Sequence, residues 1–318
     1  MDSHLPERPN GGADVTGSVR GVVLEAAGGV YRILDEGGRE LDAFLRGRHK
    51  REARTGDRVV AGDRVMVAPA EGGEGWVIEE VEPRDTELVR RRVGGHRPRV
   101  VAANVDQVLI VMAVVEPAFR PEVADRFLVL AETCGIPAVL VLNKLDLSEQ
   151  AGTIEVEELL ELYESIGYPV VACSTVTGRG LEALARQMEG RVNVLIGPSG
   201  VGKSSLLNAL YPDFGLRTGE VSRRGGRGRH TTVGSRLLLL EGGGQVVDTP
   251  GFSEAGSWGV SPEELDQAFP EFHEPSTECR FRRCSHLHEP DCGVQAAVES
   301  GAIDPGRYES YAKLVAEG

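Results

Sequence analysis

Two short motifs, some fifty residues apart, have the residue types needed to hold a guanine nucleotide. Gly197-Pro198-Ser199-Gly200-Val201-Gly202-Lys203-Ser204 fits G-x-x-x-x-G-K-S, followed by Ser205. Its glycines let backbone N–H groups approach phosphate oxygens, and a helix predicted over Ser205 to Leu210 adds a favourable dipole. Lys203 would reach the β- and γ-phosphates, while the Ser204 hydroxyl would hold Mg²⁺. Asn143-Lys144-Leu145-Asp146 fits N-K-x-D. A carboxylate at Asp146 can accept from both N1–H and the exocyclic amine of guanine, a donor pair that adenine lacks. Asn143 would bond the base and brace the phosphate loop, and the Lys144 stem would lie over the ring. An ordinary GTPase has its phosphate loop first, whereas here the guanine reader comes first. The order predicts a circularly permuted GTPase domain.

Further residues complete this chemistry. Asp248-Thr249-Pro250-Gly251 fits D-x-x-G, about 45 residues past the phosphate loop. Asp248 would bind Mg²⁺ through water, and the Gly251 N–H would sense the γ-phosphate. Cys173-Ser174-Thr175 sits where a loop supporting the guanine carbonyl is expected, which makes Ser174 a binding candidate. Between phosphate loop and D-x-x-G, the run Arg227-Gly228-Arg229-His230-Thr231-Thr232 has the character of a switch. Thr232, or Thr231 beside it, would complete the Mg²⁺ shell in the GTP state and let go after hydrolysis. Many GTPases carry a water-orienting glutamine directly after D-x-x-G, but Phe252 stands there and cannot serve. Slow intrinsic turnover is expected, with His230 the candidate for positioning water; its other reading is membership of the basic loop.

Cys279, Cys284, His286 and Cys292 have the spacing C-x₄-C-x-H-x₅-C. Three thiolates and an imidazole make a closed tetrahedral set for one structural Zn²⁺, with no open position for a catalytic water. By spacing alone His288 could replace His286. Cys134 and Cys173 read as small residues in or near a core. Five clustered thiols make no disulfide framework, which fits a reducing, cytoplasmic home.

These residues need a scaffold. From Thr16 to Leu88, short β-like runs (Gly21 to Leu24, Val30 to Leu34, Arg64 to Val67, Trp76 to Ile78) alternate with turns, predicting a small β-barrel. An OB-fold fits the length, and the pattern equally allows an SH3-like barrel. From Val105 the pattern changes to βα alternation. Apolar strands over Val105 to Val115, Ala138 to Leu142, Tyr168 to Cys173 and Val192 to Ile196 alternate with helices over Ala124 to Cys134, Val156 to Ser165 and Leu181 to Met188. Two more strands are expected, over Arg236 to Leu240 and Gln245 to Val247. Such a mostly parallel sheet presents its loops at the carboxyl ends of its strands. The expected organisation is a disordered leader (1–15), barrel (16–88), basic linker (89–99), α/β GTPase domain (100–258) and helical zinc-binding domain (259–318).

At 318 residues the chain can bury several cores, and 26% charged content with no long apolar run excludes a membrane span. A net charge of −14 argues against nonspecific coating of nucleic acid. Yet cations bunch at Arg46 to Arg51, Arg90 to Arg92, Arg97 with Arg99, Arg223 to Arg229, and Arg280 with Arg282 and Arg283, which together predict a composite RNA-binding surface.

The permuted motif order, the barrel before it and the Cys/His pattern after it resemble the RsgA (YjeQ) family of small-subunit-dependent GTPases. The similarity extends to Ala103-Asn104-Val105-Asp106-Gln107-Val108 and to Arg307-Tyr308-Glu309-Ser310-Tyr311. Departures are Val233, where the family often has a third threonine, and Ser-Thr in place of Ser-Ala. The resemblance implies an OB-fold, a permuted G domain using GTP and GDP, and a zinc domain acting together on the small ribosomal subunit and its rRNA. It implies low intrinsic turnover and stimulation by the subunit; that hydrolysis then drives release is a hypothesis added to it. Nothing in the sequence calls for more than a monomer. The rival expectation is an RNA-binding assembly or storage factor in which GTP stabilises a clamp and hydrolysis is incidental.

Overall fold

The computed structural model describes residues 17–45, 58–70, 75–92, 96–150, 156–216, 235–249, 260 and 262–317. Its N-terminal strands are β1 (Val19–Ala27), β2 (Val30–Asp35), β3 (Glu40–Leu45), β4 (Arg64–Pro69) and β5 (Trp76–Val81). They run in the order β1-β2-β3-β5-β4, and β4 returns to pair with β1. This closed five-stranded order is that of an OB-fold, which decides between the two barrels the sequence allows. Alternate residues point inward, so Val23, Ile33, Ala43, Val65, Val67 and Ile78 form one core.

The basic stretch expected to be a linker instead contributes to an antiparallel hairpin of β6 (Glu87–Arg92) and β7 (His96–Ala103). A strand needs apolar residues only at alternate positions, and the buried Leu88 and Ala102 supply them despite the arginines. Asn104, just beyond, fastens the barrel: its Nδ2 donates to the Gly62 carbonyl at 2.8 Å and its Oδ1 accepts from the Asp85 N–H at 2.9 Å.

Next come β8 (Gln107–Ala113), α1 (Pro121–Thr133), β9 (Ala138–Asn143), α2 (Val156–Ile166), β10 (Val170–Ala172) and α3 (Leu181–Met188). They are followed by β11 (Val192–Ile196), α4 (Lys203–Leu210), β12 (Arg236–Leu239) and β13 (Gln245–Asp248). The sheet order is β10-β9-β8-β11-β13-β12, with only β12 antiparallel to its neighbour. Every residue of β8 is buried, and the strand feeds two cores. Val108, Ile110 and Met112 face the layer of α1 and α2, while Leu109, Val111 and Ala113 face that of α3 and α4. From β8 the chain winds outward one way through β9 and β10, and β11 begins on the opposite side. The crevice outside the carboxyl ends of β8 and β11 is therefore the switch point at which open α/β sheets take ligands.

The C-terminal unit holds α5 (Pro262–Gln267), α6 (His273–Ser276), α7 (Gly293–Glu299) and α8 (Pro305–Glu317). Its core of Leu265, Phe269, Phe272, Val294, Ile303 and Tyr311 also takes in Val129 of α1. Arg307 of α8, only 2% exposed, reaches Asp125 of α1 at 2.6 Å and Glu271 at 2.7 Å, with its guanidinium 4.6 Å from the Phe269 ring centre. Tyr163 of α2 donates to the same Asp125 oxygen at 2.8 Å. A buried charge needs such paired, hydrogen-bonded surroundings.

Candidate guanine-nucleotide and metal sites

The phosphate loop leaves β11 through Gly197, at φ +140°. A Cβ there would lie 2.0 Å from the Val111 carbonyl oxygen, and one at Gly202, at φ +96°, would lie 2.4 Å from Asn143 Nδ2. Only glycine lets the loop fold this closely onto β8 and β9. No side chain caps the first turn of α4, so its N–H groups face the loop, ready for an anion. Lys203 Nζ donates to the Gly197 and Pro198 carbonyls at 2.7 and 2.8 Å, which holds the amine over the loop. Burial pushes the Lys203 amine down to about 8, with the charge of Asp248 opposing the fall. Asp248 keeps a solvent-facing side, but the protein packed around it raises its carboxyl pKa, against the pull of Arg236 and Lys203. Ser199 and Gly200 are exposed, Val201 is buried, and Ser204 and Ser205 are half-buried.

The guanine reader meets this loop directly. Asn143, buried at the end of β9, donates from Nδ2 to the Val201 carbonyl at 2.9 Å. Lys144 has φ +63°, and its Nζ donates to the Glu116 carbonyl. Asp146 is exposed, and the fully buried Ser174 hydroxyl donates to its Oδ1 at 2.5 Å. Ser174 Oγ in turn accepts from the Val176 and Thr177 N–H groups at 3.2 Å. Ser174 is thus placed to orient the carboxylate that would read the base. The glycine cradle, the amine and the oriented carboxylate fit a guanine nucleotide, with Ser204 and Asp248 the described candidates beside Mg²⁺. His230, Thr231, Thr232, Gly251 and Phe252 lie outside the described residues, as do residues 1–15 and the basic runs at 46–51 and 223–229.

In the C-terminal unit the ligand atoms of Cys279, Cys284, His286 and Cys292 all lie within 4.8 Å of one another. Cys279 Sγ is 3.8 Å from Cys292 Sγ, and His286 Nδ1 is 3.5 and 3.4 Å from those two sulfurs. A tetrahedral zinc with its usual bond lengths implies about 3.8 Å between sulfurs and about 3.5 Å between sulfur and nitrogen. The cluster is therefore compatible with zinc. His286 is buried inside the cluster whereas His288 is exposed, so of the two histidines it is His286 that stands with the three thiols. Sequence reasoning missed the outer partners. Asp266 Oδ1 lies 2.8 Å from His286 Nε2, while Gln295 Nε2 and Tyr308 OH donate to the His286 carbonyl at 3.0 and 2.6 Å. The apolar spacing of Leu265, Ala268 and Phe269 marks a helix but gives no sign that Asp266 faces a metal ligand.

A separate cleft of about 220 Å³ between α1 and α8, lined by Arg120, Arg126 and Lys313 among others, shares no lining residue with either site. Its cations are already paired with Glu122, Glu317 and Glu309. Among the described residues, no helix is long and apolar enough to cross a membrane.

Comparison with known proteins agrees with this geometry. The family model described as RsgA GTPase matches residues 81–258. The small ribosomal subunit biogenesis GTPase RsgA of Gemmatimonas aurantiaca is 46% identical over 304 residues, covering 94% of this chain and 97% of that protein. Its counterpart in Moorella thermoacetica is 44% identical, with coverage of 94% and 97%. Among solved structures, YjeQ from Thermotoga maritima aligns with a TM-score of 0.79 at 38% identity, over 94% of this chain and 98% of that one. YloQ, described as a circularly permuted GTPase, aligns with a TM-score of 0.71 at 31% identity, over 98% and 97%.

Proposed function

From the premise that the chain belongs to the RsgA GTPase family, and so is a GTP hydrolase, we propose that it binds the small ribosomal subunit late in its maturation. The subunit stimulates hydrolysis, and conversion of GTP to GDP releases the protein. The observation that carries the nucleotide chemistry is the bond from Asn143 to Val201, which locks guanine reader and phosphate loop into one site despite their reversed order. The role of the relatives in small ribosomal subunit biogenesis supports the choice of partner.

In this reading Asp146, oriented by Ser174, selects guanine, and Lys144 covers the ring. The N–H groups of Ser199 to Ser205 and the Lys203 amine hold the phosphates. Lys203 exchanges its loop carbonyls for β- and γ-phosphate oxygens, which offsets the charge that develops on the departing GDP as the bond from its bridging oxygen to the γ-phosphorus breaks. Ser204 and Thr232, or Thr231 beside it, would hold Mg²⁺, with Asp248 acting through water, and the ion would supply positive charge to the phosphates. Gly251 senses the γ-phosphate, and His230 positions the attacking water. Zn²⁺ at Cys279, Cys284, His286 and Cys292 is structural. The described cations Arg90, Arg99, Arg280, Arg282 and Arg283 would contact rRNA phosphates, giving a salt-dependent affinity. The protein works as a cytoplasmic monomer.

GTP hydrolysis measured with and without purified small subunits, with Lys203→Ala as control, tests this. Strong stimulation that the variant loses is the expected result; no stimulation despite intact binding overturns it. Phe252 favours a second reading, in which GTP only stabilises an RNA-bound clamp. Subunit affinity raised by GTP and by a nonhydrolysable analogue, with no stimulated hydrolysis, would support that alternative.

A further inference from the structure

We propose that Asp266 is a positioning residue for the metal centre: from α5, outside the Cys/His segment, it fixes Nδ1 of His286 as the nitrogen that binds zinc. The proposal rests on reading the cluster as a zinc site. A neutral imidazole has one N–H and one lone pair, and what the first nitrogen donates to decides which nitrogen is free to bind a metal. In this structure Nδ1 faces the sulfurs of Cys279 and Cys292 at 3.5 and 3.4 Å, and Nε2 faces Asp266 Oδ1 at 2.8 Å. Both nitrogens are therefore committed, and the proton belongs on Nε2. A carboxylate accepting that proton's hydrogen bond also makes the ligating nitrogen more basic.

The backbone agrees with this division. His286 sits at φ +58°, a conformation a histidine rarely adopts, and its carbonyl is held there by Gln295 and Tyr308. The turn presents the ring edge-on between the thiols and α5. Leu265, next to Asp266, belongs to the core that includes Val129 of α1. One hydrogen bond thus joins the metal ligand to the helix that seats this unit on the GTPase domain.

The test uses the full chain with its zinc. Affinity is measured by competition with a chromophoric chelator, and the His286 tautomer is read by long-range ¹H–¹⁵N correlation. Wild type should hold one zinc per chain, bound through Nδ1 with the proton on Nε2. Asp266→Ala should weaken zinc roughly 10- to 100-fold and broaden or lose the Nε2–H signature. Asp266→Asn keeps an oxygen acceptor and should recover most of the affinity and the wild-type tautomer. Circular dichroism at saturating zinc confirms that each variant is folded. Zinc affinity of Asp266→Ala within about threefold of wild type, with an unchanged tautomer, overturns the proposal. Metal bound through Nε2 in wild type overturns it as well. Wild type that holds no zinc removes the metal reading itself, a different outcome from either.

Discussion

Lys203 gives the sharpest prediction, because its environment sets a titration near neutral pH. Burial lowers its pKa from 10.5 to about 8 in the nucleotide-free site. With that value the amine is about 90% protonated at pH 7 and about one quarter protonated at pH 8.5. If the phosphates require the cation, GDP affinity should fall about fourfold over that interval, and binding at pH 8 should take up about half a proton. Isothermal titration in two buffers of unlike ionisation heat reads the proton uptake directly. Lys203→Arg is the reference, because a guanidinium stays charged and shares every other titration in the complex. The sign extends to stability. Between pH 8 and 10.5 the folded chain binds fewer protons at this position than the unfolded chain, so its contribution to stability rises with pH there. Saturating GDP should cancel that rise, since the phosphates restore the proton. Wild-type GDP affinity that tracks the arginine variant across the whole range, with no proton uptake, would refute the reasoning.

Three further outcomes follow from other contacts. Asn143→Ala leaves the buried Val201 carbonyl without its donor, at about 1–3 kcal/mol, so fluorescent GDP should bind roughly 5- to 150-fold more weakly; unchanged affinity would remove the brace from the account. Gly202→Ala places a methyl 2.4 Å from the Asn143 amide, and it should abolish nucleotide binding while zinc content, measured by mass spectrometry, stays at wild-type level. Arg307→Met strands Asp125 in the interior and should cost about 3–5 kcal/mol in urea unfolding, most of it recovered by adding Asp125→Leu; a loss below about 1 kcal/mol would show that the pair does not hold the C-terminal unit in place.

The GTPase sheet was legible because β8, β9 and β11 are buried on both faces and so read as unbroken apolar runs. The nucleotide and zinc motifs were legible because their chemistry requires fixed residue types at fixed spacing. Other features carry no such local mark. β3, Glu-Leu-Asp-Ala-Phe-Leu, hides a strand behind two acidic residues, and the arginines of β6 concealed its pairing with β7. Arg307 and Asp125 are 182 positions apart, and nothing local to either residue marks the pair. Asp266 shows its role only once the chain has folded back on itself.

The sheet also has a bearing on solubility. At one end of the GTPase strands, β10 is only three residues long. At the other, β12 meets β1 of the barrel at Arg236 opposite Glu25, and the barrel closes through β1 and β4. An open row of backbone donors and acceptors is a template for another chain to add a strand. Here one edge is only three residues long, the other is met by the barrel at its first residue, and β1 and β4 pair to close the barrel. The barrel thus caps the start of β12, and removing it would leave the backbone of Arg236 without its partner on β1.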